Sequence, residues 1–240
     1  MWYFFENPLN QTFGNTVTQV PMQKKIVALT YDDGPNPPFT NQIVDYLHRE
    51  HVVATFFVVG KAVDKYPQIV RQEVRYGNAL GNHTWDHAHL VLERRAHIVA
   101  ELNDAEAAIY RAARVKPNIF RPPFGARNFT VISVAHQLGY QVIMWSVPLP
   151  RDWTQPPPAV IANRVLRNVR DGGIIVLHDG NRGLHADRHN TVEATKLIVS
   201  ALKAQGYRFL TVPELIGLGY AHNKTPPGPV EYEGQEPAHR

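Results

Sequence analysis

Two adjacent carboxylates, Asp32 and Asp33, follow the apolar run Ile26-Val27-Ala28-Leu29 inside the stretch Thr30-Tyr31-Asp32-Asp33-Gly34-Pro35. Like charges this close raise each other's pKa, and burial at a strand end raises the cost further. A nearby cation relieves both effects, and a metal ion is the obvious candidate. Gly34-Pro35 then turns the chain, as the exit from a strand requires. Downstream, His83-Thr84-Trp85-Asp86-His87 offers two imidazoles at i and i+4, the spacing that puts both on one face of a helical turn. With 12 histidines in the chain, such a pair alone carries little weight. Beside the carboxylates it gains meaning, because imidazole nitrogens and a carboxylate oxygen make a mixed site for zinc and its neighbours. Asp33, His83 and His87 would then hold one divalent ion, Zn2+ before Co2+ or another. They would leave a coordination position for water, as catalytic sites do.

The elements that must position these groups alternate along the chain. Apolar runs predict strands near 25–32, 52–59, 79–82, 118–121, 140–147, 173–178 and 207–211. Helical patterns fall near 39–50, 62–76, 93–114, 129–138, 158–171 and 191–205. Ile98, Leu102, Ala105, Ile109 and Ala112 show the three-four spacing most clearly, and Gly206 stands where the last long helix needs a C-terminal cap. Strand-then-helix alternation means a parallel sheet. The candidate motifs all lie at C-terminal strand ends, where (β/α) barrels assemble their sites. The expectation is a single α/β domain, a closed or nearly closed barrel, over residues 24–221. Residues 1–23 are expected to pack on the barrel and 222–240, with Pro226-Pro227-Gly228-Pro229, to form a flexible tail.

Taken together, Thr30-Tyr31-Asp32-Asp33-Gly34-Pro35 and His83-Thr84-Trp85-Asp86-His87 resemble the first two motifs of the polysaccharide deacetylase family, the NodB-homology domain of carbohydrate esterase family 4. Arg121-Pro122-Pro123-Phe124-Gly125 is similar to the third motif, Asp152-Trp153 to the end of the fourth, and Ile175-Val176-Leu177-His178 to the fifth. The five occur in the family's order, and the similar sequence continues to about Leu215. One departure stands out. Pro148-Leu149 occupies the place after Trp145 where relatives often carry another Asp. The resemblance implies a distorted (β/α) barrel of about seven strands that deacetylates a GlcNAc-containing glycan such as chitin oligomers or peptidoglycan. It implies Asp33, His83 and His87 as metal ligands, Asp32 as general base and Arg121 as its partner. It further implies His178 as leaving-group acid, Asp152 as the residue orienting it, the Phe124 N–H at the oxyanion, and Trp153 and Leu177 around the acetyl methyl. Rival readings are an O-acetyl xylan esterase, a carbohydrate-binding pseudoenzyme and an amidohydrolase for small cyclic amides.

Composition sets the outer bounds. A chain of 240 residues, 44% hydrophobic and 19% charged, can bury a sizeable core. It has no cysteine, so disulfides and thiolate metal sites are excluded. Net charge is +4 with the basic residues scattered, and nothing resembles a nucleic-acid reading motif. No run approaches the ~20 apolar residues of a membrane span. Met1-Trp2-Tyr3-Phe4-Phe5 lacks a basic region and is too short for the apolar stretch of a signal peptide. The expected partner is an acetylated glycan met by a monomer, outside the cell or in its envelope.

Overall fold

The computed structural model describes residues 5–147 and 150–223. Pro148-Leu149 and most of the expected tail lie outside the described residues. Among the described residues, seven strands build one sheet: β1 (Ile26–Asp32), β2 (Thr55–Val58), β3 (Ala79–Asn82), β4 (Ile119–Phe120), β5 (Gln141–Val142), β6 (Gly173–His178) and β7 (Arg208–Phe209). Between and after them run α1 (Phe39–Arg49), α2 (Gly60–Lys65), α3 (Pro67–Arg75), α4 (Arg95–Ala113), α5 (Phe129–Gln137), α6 (Pro158–Leu166), α7 (His189–Ala204) and α8 (Val212–Asn223). The pairing order is β5-β4-β3-β2-β1-β6, with β7 joined to the start of β1 at Ile26 and Val27, and every pair is parallel. The curled sheet is a distorted (β/α) barrel.

Its seam lies between β5 and β6. Ser146 N donates to Ile174 O at 3.1 Å, and Ile174 N donates to Ser146 Oγ at 3.0 Å. The N-terminal segment occupies the same seam, bridging Val17 to Ile143 and Gln19 to Gly173. This explains why the apolar run over 140–147 yields only a two-residue strand. Beyond the Ile143 N–H, which still donates to Phe120 O of β4, its backbone bonds to the N-terminal segment and to β6 rather than to one continuous ladder.

Period-two alternation sorts the strand residues between two cores. On β1, Val27, Leu29 and Tyr31 face the helices, packing with Ile43 and Leu47 of α1 and Ile198 and Leu202 of α7. Ile26 and Ala28 face the barrel interior, with Phe57, Ile143, Ile174, Val176 and Val212, Leu215 and Ile216 of α8. Thr30 and Asp32 share that inner parity, so β1 aims a carboxylate into the barrel mouth. In register beside it, Asp32 pairs with His178 of β6.

The helical pattern read over 62–76 is two helices. Pro67 disfavours a helical residue before it, and Tyr66 has φ −132° and ψ 51°, so the chain restarts at α3. The helix read over 158–171 ends at Leu166. Among the described residues no helix is long and apolar enough to cross a membrane.

Candidate active site

Residues on four strand ends meet at the barrel mouth. Asp32, buried, accepts from Arg121 Nη1 at 2.6 Å. Arg121 is fully enclosed and divides its other donors between Thr30 Oγ1 (2.7 Å), Ile143 O (3.3 Å) and Met144 O (3.0 Å), with its guanidinium 4.1 Å from the Phe57 ring centroid. Donors held on so many sides leave the fork no freedom to leave Asp32.

Strict alternation would turn Asp33 away from Asp32. Instead Asp33 takes φ 80°, a left-handed backbone that is costly for any residue but glycine, and this brings both carboxylates to the same mouth. Asp33 Oδ1 then lies 3.0 Å from His87 Nε2 and 3.4 Å from His83 Nε2. Burial alone raises the pKa of Asp33, but the two imidazoles outweigh it and hold the carboxyl well below the usual carboxylate range. Burial pulls His87 downward, against the pull of Asp33 and with help from the charge of Arg182.

The histidine pair is not on a helical turn, as its spacing suggested. Residues 83–87 form an irregular loop with left-handed backbone at Thr84 (φ 67°) and His87 (φ 63°). Local hydrogen bonds define its path. Thr84 N donates to Asn82 Oδ1 and His87 N to Thr84 Oγ1. Glu101 of α4, buried, accepts from both Trp85 N (3.0 Å) and Asp86 N (3.1 Å). His83 Nδ1 lies 2.7 Å from the Arg121 carbonyl. A carbonyl only accepts, so Nδ1 donates there and Nε2 is the ring nitrogen turned toward Asp33.

These residues fit a divalent cation. One oxygen and two nitrogens all lie within 4.8 Å of one another, each on a buried residue. Among the described residues Asp33 Oδ1 has no hydrogen-bond donor, although it is enclosed. Two ligand atoms on one tetrahedral ion with bonds of about 2.1 Å stand about 3.4 Å apart, close to the separations seen here.

Across the mouth, Asp152 is completely buried. One oxygen accepts from His178 Nδ1 at 2.9 Å; the other accepts from His178 N at 2.7 Å and from Thr191 Oγ1 at 3.1 Å. Burial disfavours the charged imidazole, but Asp152 overrides it, with Asp33 and Asp32 adding, and His178 is pushed up to about 9. The Trp153 ring stands edge-on to His178 at 5.0 Å. Phe124 sits in a left-handed turn (φ 60°), its ring against His87 at 4.6 Å and His89 at 5.0 Å. These groups gather at one cavity of about 260 Å³.

Residues 19–143 match the sequence profile of the family described as polysaccharide deacetylase. The chain belongs to this family. It is 39% identical over 210 residues to a peptidoglycan-N-acetylglucosamine deacetylase of Bacillus cereus, covering 87% of this chain and 95% of that protein. It is 34% identical to a Listeria monocytogenes peptidoglycan-N-acetylglucosamine deacetylase over 84% of this chain, spanning 41% of that longer protein. Among solved structures, a peptidoglycan N-acetylglucosamine deacetylase in complex with 4-naphthalen-1-yl-N-oxidanyl-benzamide superposes with TM-score 0.78 at 32% identity, over 82% of this chain and 91% of that one.

This polysaccharide deacetylase domain brings nine of the ten residues singled out from sequence to the cavity or into contact with its lining: Asp32, Asp33, His83, His87, Arg121, Phe124, Asp152, Trp153 and His178. Leu177 is the exception. It is fully buried on the outer face of β6, in register with Tyr31 and packed among the helices. Val176, two residues before His178 and on the same face, lines the cavity instead. The alternation of a strand was the signal that separates them. Sequence reading also missed Glu6, Trp145, Asn181, Arg182 and Arg188 in the lining, and Glu101 behind the histidine loop. Asp86, within the histidine loop, pairs with Lys61 at the surface.

Proposed function

We propose that this chain is a metal-dependent deacetylase that hydrolyses the N-acetyl groups of a GlcNAc-containing glycan, outside the cell or in its envelope. The observation that carries the proposal is one cluster of two imidazoles and a carboxylate, flanked at a single cavity by two buried pairs, Asp32–Arg121 and Asp152–His178. Asp33, His83 and His87 are the residues that would hold the ion. Bound there, a divalent ion supplies Lewis acidity that polarises the acetyl carbonyl and acidifies water.

The chain's own residues supply the proton transfers. Asp32, oriented by Arg121, accepts the proton of the attacking water. The Phe124 N–H is assigned to the oxygen on which charge develops. His178, kept cationic by Asp152, donates its proton to the leaving nitrogen as the C–N bond breaks. Acetate departs and the sugar keeps a free amine. Val176 and Trp153 wall the space for the acetyl methyl.

The test is acetate release from acetylated chitin oligomers, peptidoglycan and acetylated xylan, with protein treated by chelator and then supplied with Zn2+ or Co2+. Release from the N-acetylated glycans that disappears on chelation and returns with metal is the expected result. Full activity of metal-free protein would end the proposal, as would release from xylan alone.

A further inference from the structure

The loop after β6 is tied to the backbone of both catalytic-site carboxylates. Asp179 N and Gly180 N donate to Asp32 O at 3.2 and 3.3 Å, and Gly183 N donates to Asp33 O at 3.2 Å. Between these ties the chain makes a tight turn, with Leu184 N on Asn181 O at 2.7 Å and left-handed backbone at Arg182 (φ 52°) and Gly183 (φ 71°). A Cβ at Gly183 would meet Val59 Cγ1 at 2.8 Å, so the turn is pressed against the end of β2. At its apex Arg182 lines the cavity, its guanidinium 4.9 Å from the Phe124 ring centroid.

Among the described residues no carboxylate lies within ion-pair range of Arg182, whereas Lys61, Arg111, Lys196 and Lys203 each have an acidic partner. Arg188, the other guanidinium in the lining, donates to the Gly180, Trp153 and Asp187 carbonyls. Glu6 is the lining's opposing rim charge, and it lies 3.9 Å from His89. A planar five-donor fork that is held on an aromatic ring, faces a substrate cavity and lacks an acid partner among the described residues is built to receive a carboxylate.

We infer that Arg182 is a specificity-determining residue that reads a carboxylate on the incoming glycan. Its pocket therefore favours N-acetylated chains whose neighbouring sugar carries an acid, such as an ether-linked lactyl group, over neutral chains of the same length. The inference rests on the deacetylase reading for the identity of the occupant, and it is measurable without turnover.

The experiment compares binding of two N-acetylated oligomers of equal length, one neutral and one bearing lactyl carboxylates on alternate sugars. Affinities are read by tryptophan fluorescence and calorimetry on the full chain carrying Asp32→Asn. Arg182→Gln should lower the acidic-to-neutral affinity ratio by about tenfold, the scale of one charge-assisted contact. Arg182→Lys should restore part of it, and salt near about 0.5 M should flatten the ratio, because an exposed ion pair is screened. Glu6→Gln should move the ratio the other way. An unchanged ratio in Arg182→Gln overturns the inference, and so does an equal fall in Arg182→Gln and Glu6→Gln, which would mean general damage to the pocket. Absence of acetate release by the unaltered protein would overturn the deacetylase reading separately, and the binding ratio would still decide the role of Arg182.

Discussion

Replacing Asp152 by Asn should convert His178 from an acid charged at neutral pH into one that is mostly neutral. In the present arrangement the imidazole is pushed up to about 9, with burial opposing and Asp152 the largest favourable influence. An unperturbed histidine titrates near 6.5, and burial without a carboxylate moves it lower still. At pH 8 the protonated fraction should therefore fall from about nine-tenths to about 3% or less, a loss of roughly 30-fold in competent acid. Hydrolysis of an amide, whose amine leaves only when protonated, should fall by at least that factor. A p-nitrophenyl acetate-type ester needs no such proton and should lose far less.

The same shift appears in stability. A folded-state pKa above the unfolded one contributes stability in full below about pH 6.5 and loses it as pH rises through about 9. The amount is about 3 kcal/mol in metal-free protein. Urea melts of metal-free protein at about pH 6 and about pH 9.5, with NMR titration of the imidazole protons, measure both effects. If His178 in Asp152→Asn still titrates above about pH 8, Asp33 and Asp32 rather than Asp152 hold its charge, and the reasoning fails.

Further substitutions separate the remaining roles. Asp33→Ala and His87→Ala should each abolish tight zinc binding in calorimetry, whereas Asp32→Asn should keep the ion and lower kcat by roughly 10²-fold or more. Glu101→Ala strands two loop N–H groups and should weaken zinc binding measurably while α4 stays folded by circular dichroism. Val176→Phe should raise KM by filling the cavity. Leu177→Ala, on the opposite face, should cost about 2–5 kcal/mol in a urea melt and leave KM near its starting value.

The barrel and the family were legible because their signals are local. Apolar runs of strand length mark the sheet, and the five motifs are short stretches at strand exits. What escaped the reading depends on backbone direction or on distant partners. The left-handed φ of Asp33, which swings a second carboxylate into the mouth, leaves no mark in residue type. The i,i+4 spacing of His83 and His87 read as a helical turn, whereas the loop is shaped by Glu101 from another element. Leu177 was assigned to the acetyl pocket by motif likeness, although strand parity sets it on the face opposite His178. Pro67 likewise carried enough information to divide the helix read over 62–76. Glu6 and Arg182 reach the cavity from segments remote from each motif except the fifth, and only the assembled fold shows them as neighbours.

The N-terminal segment at the seam has a kinetic consequence. Val17 N bonds to Val142 O and Met144 N to Val17 O, so these contacts close a loop of roughly 125 residues. Residues 17–20 therefore leave the ribosome without a partner, and wait until β5 has been synthesised and placed. Until then β5 and β6 present unsatisfied backbone along an open seam, the kind of edge that invites pairing with a neighbouring chain. Refolding should accordingly show a late phase that reports on residues 17–20. Val17→Pro, which removes only the N–H that Val17 donates to Val142 O, should increase aggregation during refolding while Glu6 and the barrel mouth keep their residues.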